Sequence, residues 1–587
     1  MEILKGIAAS PGYAIGRAIV LEREDAPVRE RFVPPERVEA EVERFDAAVL
    51  KARADIQALQ ERMRREVGEG AAGIFGAHLW VLSDATLREE VLRRVRDNRF
   101  SAEYALDRAL QKYIKRLRAI SDPYLSQRIQ DLEDVERRLL NILRGESRPD
   151  LGDSVQRAVV VAHSLSPSQT ASFDRNRVIG IATDVGGRTA HAAILARDLG
   201  IPAVVGLETA SVNVGPGEMV IIDGQRGLVV ISPDERTLKR YRALEKEHLG
   251  YERSLTAESH LPAVTRDGVR ISMWGNIEFP EEIPSVVEHG AEGIGLYRTE
   301  FLFLSKGRIP TEADHLEAYR AALSFLGGRP IYIRTADLGA DKLTALHPGI
   351  PHERNPFLGC RSIRLCQAHP EIFRTQLRAI LKVAGEGDVK CMLPMITTLE
   401  ELRWAKSQLE DVRRELAREG FVCPGGPQVG AMIEVPAAAL MVDSIAREVA
   451  FLSLGTNDLI QYTLAVDRTN EHVAHLFTPA EPSVLKLIKC VIDAGERHNI
   501  PVSMCGEMAG DPAFVYLLIG MGLRIFSVAP AQVPQIKRLI RSISAAEARQ
   551  FADSVLACES RDEVLAMLER SPGQEPTGAG IGEASHP

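Results

Sequence analysis

The stretch Gly186-Gly187-Arg188-Thr189-Ala190-His191-Ala192-Ala193-Ile194-Leu195-Ala196-Arg197 sets a histidine just after a Gly-Gly pair, at the opening of an apolar helix. A neutral imidazole placed there can attack phosphorus, because helix N-terminal amides favour an incoming anion. Taken alone, a histidine is more often a satisfied structural residue, and the rest of the chain decides between the two readings. Further along, arginines and carboxylates gather at regular intervals: Arg298-Thr299-Glu300, Arg334-Thr335-Ala336-Asp337 with Lys342, Arg361 and Arg364, Glu434, Gly455-Thr456-Asn457-Asp458 with Arg468, and Cys505-Gly506-Glu507. Each group follows a short apolar, β-branched run, so these side chains fall at strand ends.

Glu434 and Asp458 suit an octahedral magnesium ion, which takes few protein oxygens and fills its other positions with water and substrate phosphate. Several arginines facing such an ion hold a phosphate and a carboxylate by bidentate hydrogen bonds. The implied ligand is small, anionic and phosphorylated. Cys505 has two readings: a packed core thiol, or a proton donor to an enolate carbon if its neighbours tune the thiol.

The elements that must position these residues follow from periodicity. Between Val38 and Met63, apolar residues at 38, 42, 45, 49, 52, 56, 59 and 63 make a coiled-coil-like seam on an amphipathic helix. Helical patterns continue over 85–98, from Ser101 to about 119, and from Asp122-Pro123 to about 145, so residues 26–145 read as a helical bundle. Apolar strands at 158–162, 178–183, 203–205, 219–222 and 228–231 define a compact α/β unit. Residues 1–25 and 146–232 together form it, with the bundle as an insert, and a charged helix over 233–263 leads out. Eight strands then alternate with helical stretches, at 269–274, 293–297, 331–335, 391–396, 430–434, 451–454, 501–504 and 524–527. That pattern predicts a closed (β/α)₈ barrel over 264–570, whose strand C-terminal ends converge on one site. Residues 571–587, rich in Gly and Pro, read as a disordered tail.

Composition narrows the function classes. At 587 residues the chain exceeds one hydrophobic core, and its 45% hydrophobic content is ordinary for a globular protein. A net charge of −9 gives no electrostatic footprint for nucleic acid or an anionic membrane. No apolar run approaches the roughly 18 residues of a membrane span, and the N-terminus does not read as a signal peptide, so the expected location is cytoplasmic. The seven cysteines include no C-x-x-C pair and imply neither a zinc site nor a disulfide framework.

Several motifs in one order carry a family resemblance: Gly186–Arg197, Gly293–Phe303, Asn355–Gly359, Met392–Met395, Gly455–Arg468 and Met504–Asp511. Over nearly its full length the chain resembles enzyme I of the bacterial phosphoenolpyruvate:sugar phosphotransferase system. The resemblance implies that His191 is phosphorylated and that Arg298, Arg334, Lys342, Asn457 and Arg468 bind phosphoenolpyruvate. It also implies that Glu434 and Asp458 hold magnesium and that Cys505 protonates the enolate to pyruvate. Two partners follow from it alone: a histidine-containing phosphocarrier protein on the helical insert, and a second barrel in a homodimer.

Three positions depart from the family pattern. Ala190 stands where serine is usual, Ala340 where glycine is usual, and Arg524-Ile525 where Asp-Glu is more common. The rival readings are a nitrogen-branch enzyme I without its sensory domain and a non-catalytic regulator on the same fold. A dikinase or phosphoenolpyruvate synthase would need a nucleotide-binding domain, and the residues before 150 carry no Gly-rich loop for one.

Overall fold

The structure, a computed structural model, describes the chain except residues 22–27, 29, 67–74, 77, 80, 119–122, 145–156, 166–172, 174–176, 188–192, 194, 195, 198, 199, 307, 340–354, 422–424, 469, 471 and 572–587. Two compact units divide it, Met1–Glu252 and Arg253–Pro587.

In the first unit, Val159 and Val161 point to one face of a sheet and Val160 to the other, each into its own apolar cluster. Burial on both faces explains why this strand reads as an unbroken apolar run. The sheet has eight strands: β1 (Glu2–Lys5), β2 (Ile7–Ser10), β3 (Tyr13–Leu21), β4 (Ala158–Ala162), β5 (Val178–Thr183), β6 (Ala203–Val205), β7 (Met219–Asp223) and β8 (Leu228–Ile231). Their spatial order is β1-β8-β7-β3-β4-β5-β6-β2. The β3-β4-β5-β6 stretch is parallel and the other pairs antiparallel.

Among the described residues, four long helices lie between β3 and β4: α1 (Val38–Glu66), α2 (Ala85–Asn98), α3 (Ala102–Arg118) and α4 (Pro123–Arg144). The seam of α1 buries Val42, Phe45, Ala52 and Ile56 against Val91, Leu106, Leu110 and Leu139, with Val38, Val49 and Leu59 partly covered. Asp84 starts α2 by accepting hydrogen bonds from the Thr86 and Leu87 amides at 2.7 and 3.1 Å. A further helix, α5 (Glu235–Glu258), begins where Asp234 accepts the Thr237 amide at 2.7 Å, and the division between the units falls within it.

The second unit is a closed barrel of eight parallel strands: β9 (Ser272–Ile277), β10 (Ile294–Tyr297), β11 (Ile331–Arg334), β12 (Val389–Leu393), β13 (Gln428–Ile433), β14 (Phe451–Leu454), β15 (Val502–Met504) and β16 (Ile525–Val528), which pairs back to β9. Trp274, Leu296, Tyr332, Met392, Met432 and Phe451 fill its interior, while alternate residues such as Met273, Ile331 and Cys391 face the surrounding helices. The strand expected over 269–274 instead runs from Ser272 to Ile277. Gly268, with φ +84°, turns the chain so that Val264 bridges Arg270, and the Thr265 amide bonds the Val269 carbonyl. Those residues form a small turn ahead of the barrel. No described helix is long and apolar enough to cross a membrane.

Candidate functional site

Arg334 ends β11 with its side chain 11% exposed, and its guanidinium lies 3.1 Å from Glu300 and 3.2 Å from Asp337. Burial opposes its charge, yet Glu300, Asp337, Glu434 and Cys505 together keep its pKa above the ordinary arginine value. Its Nε is buried without a hydrogen-bond partner among the described residues. Arg361 makes a second clamp: its Nη2 donates to both Asp337 oxygens at 2.9 and 3.0 Å and to Asp458 at 3.3 Å. Its Nη1 donates to the Tyr462 hydroxyl, which in turn donates to the Phe357 carbonyl.

Glu434 follows β13, is 2% exposed, and accepts the Met395 amide at 2.6 Å. Burial, then the like charges of Asp337 and Asp458, raise its pKa above the ordinary carboxyl range. Asp458, in the first turn of the helix Thr456–Leu464, has one oxygen, Oδ1, buried with no hydrogen-bond partner among the described residues. Arg468 Nη2 stands 4.0 Å from that oxygen. Three carboxylates crowded in low dielectric, one with an orphaned oxygen, fit a cation. Among the described residues no group of three or more His, Cys, Asp or Glu is arranged as a metal cage, and two carboxylates are what magnesium asks of a protein.

Glycine makes room for this crowding. A Cβ on Gly455 would sit 2.7 Å from Glu434 Oε2, and one on Gly506 would sit 1.8 Å from Thr456 Oγ1. Asn457 and Glu507 exchange hydrogen bonds, the Asn457 amide donating to Glu507 Oε1 at 3.0 Å and the Glu507 N–H donating back at 3.1 Å. Arg298 is the most open member, 39% exposed and 2.8 Å from the likewise exposed Glu278.

Cys505 follows β15 and is 4% exposed, with Sγ 3.4 Å from Ser453 Oγ. Burial raises its pKa, against the lowering pull of the Ser453 hydrogen bond and of Arg334. The group is therefore a thiol, carrying its proton. Asn276 steadies this end of the barrel, donating to the Cys505 and Ser527 carbonyls at 3.0 and 3.1 Å.

Arg298, Arg334, Glu434, Asn457, Asp458, Arg468 and Cys505 thus follow the C-terminal ends of barrel strands, or, for Arg468, the helix after one. His191 and Lys342 lie outside the described residues, as do Ala190 and Ala340. Arg524, the third departure, donates from Nη1 to the carbonyls of Ile519 and Leu523 and so caps a helix end away from the strand C-termini.

Three families match successive stretches of the chain: PEP-utilising enzyme, N-terminal, over residues 5–128; its mobile domain over 155–227; and its PEP-binding domain over 252–545. A phosphoenolpyruvate-protein phosphotransferase of Bacillus sp. (strain S) is 42% identical over 97% of this chain and 98% of its own. Those of Geobacillus stearothermophilus and Listeria monocytogenes are 41% and 40% identical, each over 97% of this chain and 98% and 99% of theirs. The chain belongs to the phosphoenolpyruvate-protein phosphotransferase family. Every described residue of the cluster lies inside the PEP-binding match, and the Gly186-Gly187 loop lies inside the mobile-domain match.

For this family member the structure adds residues that spacing alone does not select. Gln376 hands hydrogen bonds to Thr299 Oγ1 and the Tyr319 hydroxyl, both at 3.0 Å, and accepts the Ala336 amide at 2.9 Å. The signal for it is a polar residue on the buried face of an amphipathic helix, between Phe373 and Ile380. Met395 carries no such signal: its amide reaches Glu434 because φ is +53°.

Proposed function

We propose that this chain takes the phosphoryl group of phosphoenolpyruvate onto His191 and passes it to a histidine of a small phosphocarrier protein, releasing pyruvate. The observation that carries the reading is the convergence, at one end of the barrel, of Arg298, Arg334, Arg361 and Arg468 with Glu434, Asp458 and the buried Cys505.

Each residue has a task. Arg298, Arg334 and Arg468 hold the phosphate and carboxylate, Asn457 and Lys342 orient the substrate, and Arg361 keeps Asp337 and Asp458 in register. Glu434 and Asp458 would hold magnesium, which would supply charge neutralisation at the phosphate oxygens. The Cys505 Sγ–H delivers its proton to the enolate carbon as the phosphoryl group departs, and the thiolate left behind is reprotonated from water. His191 suits the transfer because a phosphohistidine keeps the group at high transfer potential, where a serine ester would trap it.

His191 must meet both the barrel and a protein acceptor, so the α/β unit swivels about residues 232–263. The helical insert receives the phosphocarrier, the barrels pair as a homodimer, and the protein works in the cytoplasm as the first step of sugar phosphotransfer. The test is incubation with labelled phosphoenolpyruvate, magnesium and a candidate histidine phosphocarrier. Label should pass to the carrier as pyruvate appears, and a chelator should stop both. Pyruvate release without protein phosphorylation would overturn the reading in favour of simple hydrolysis.

A further inference from the structure

Behind the end of β11, between the barrel and its helices, a buried run of side-chain hydrogen bonds holds the peptide that carries Arg334. Pairing of β10 with β11 stops at Tyr297 and Ile333, so the backbone groups just beyond lose their ladder partners on that side. Side chains take over. The Thr299 hydroxyl reaches the Arg334 carbonyl at 2.9 Å, and Gln376 Oε1 reaches the Ala336 amide at 2.9 Å.

The ends of this network fix its directions. The Ala336 N–H can only donate, so the oxygen of the Gln376 amide faces it, and Nε2 faces Thr299 Oγ1 and the Tyr319 hydroxyl, both at 3.0 Å. Thr299 Oγ1, accepting from Nε2, turns its own hydrogen to the Arg334 carbonyl. Burial pushes the Tyr319 pKa up, so that hydroxyl keeps its hydrogen and directs it to His315 Nδ1 at 3.2 Å. Gln376, Thr299, Tyr319 and His315 are all buried.

Packing alone does not ask for a glutamine here. Gln376 lies with Phe373, Leu377 and Ile380 on the buried face of the helix Pro370–Val383, where a leucine would fill similar space without the cost of burying an amide. What the amide adds is a bracket around Thr335: it grips Ala336 directly and Arg334 through Thr299. Next along, the Asp337 amide donates at 2.9 Å to Glu300 Oε1, the oxygen that lies 3.1 Å from the Arg334 guanidinium. The bracket thus sets the backbone from which the Arg334 side chain extends.

We propose that Gln376 is a positioning residue for phosphoenolpyruvate, acting through Thr299 on Arg334. The inference rests on the reading of Arg334 as a substrate ligand given above. A guanidinium that must meet a phosphate or carboxylate with two parallel hydrogen bonds tolerates little displacement, and displacement starts at its strand-end backbone.

The test compares the full-length parent with Gln376→Glu, Gln376→Leu, Arg334→Lys and the double variant Gln376→Glu/Arg334→Lys. Calorimetric affinity for phosphoenolpyruvate with magnesium, pyruvate release and thermal melting are measured on each. Gln376→Glu keeps the size and the acceptor for Ala336 but sets an oxygen where Nε2 donates. Affinity and kcat/KM should fall ~10–100-fold in the folded Gln376→Glu and Gln376→Leu proteins, the scale of loss from a misplaced contact group. The double variant should lose no more affinity than Arg334→Lys, because Gln376 acts only through that arginine, whereas a glutamine that merely supports the fold would give losses that add. Parental affinity in Gln376→Glu, or additive losses in the double variant, overturns the proposal. Parental affinity in Arg334→Lys refutes the reading of Arg334 itself, which separates the two failures.

Discussion

A thiol packed among Trp274, Leu296, Tyr332, Met392, Met432 and Phe451 keeps its proton, because burial disfavours the thiolate more than Ser453 and Arg334 favour it. It contributes little to holding an anion. Cys505→Ala should therefore bind phosphoenolpyruvate within a few-fold of the parent while kcat falls ~10²–10⁴-fold, the usual worth of a positioned acid. Calorimetry beside pyruvate release measures both, and turnover at the parental rate would return Cys505 to a packing role. The arginines behave otherwise, and not alike. Arg298 pairs with an exposed Glu278, so Arg298→Ala should change stability by about 1 kcal/mol or less and show its loss in affinity and kcat/KM. Arg334→Ala takes the guanidinium partner from Glu300 in a buried site, while Asp337 keeps Arg361, and should also cost the barrel about 3–5 kcal/mol, read by thermal unfolding. Unchanged stability in Arg334→Ala would mean that Glu300 finds another counter-charge.

At the scale of elements, the helical insert holds a pH-sensitive carboxyl. Glu136 of α4 is pushed up to about 8, first by burial and then by Asp107 and Glu133, against a hydrogen bond from Gln111. The folded bundle thus binds this proton more tightly than the unfolded chain does. Its stabilising contribution is complete below the ordinary glutamate pKa and is lost as pH rises through about 8. Melting of the parent should weaken between pH 5 and 9, and Glu136→Gln should remove much of that slope. Equal slopes would show the group to be ionised at neutral pH.

Most of these elements were legible in the sequence because their periods are clean. The α1 seam follows steps of four and three, and β4 is a run of Ala and Val bounded by turn residues. The barrel strands were readable for the same reason, except β9, where apolar Val269 and Ile271 belong to a small extended turn closed by the Val264–Arg270 bridge and so imitate the start of a strand. The site was legible as strand-end arginines and carboxylates. Who pairs with whom was not: the Arg361 link between Asp337 and Asp458, the Met395 amide on Glu434 and the Gln376 network all depend on residues brought together by barrel closure.

At the scale of the whole molecule, the proposed function divides the chemistry between two units. The cluster of arginines and carboxylates belongs to the barrel unit, and the loop leading to His191 belongs to the sheet unit. A nucleophile on one unit and a substrate site on the other should be separable by mutation. The most direct measurement is therefore made on His191→Gln: calorimetric affinity for phosphoenolpyruvate with magnesium, beside formation of acid-labile, alkali-stable phosphoprotein from labelled phosphoenolpyruvate. The account predicts near-parental affinity and no phosphoprotein. Acid-labile, alkali-stable phosphate persisting in that variant would contradict it and place the acceptor elsewhere in the chain.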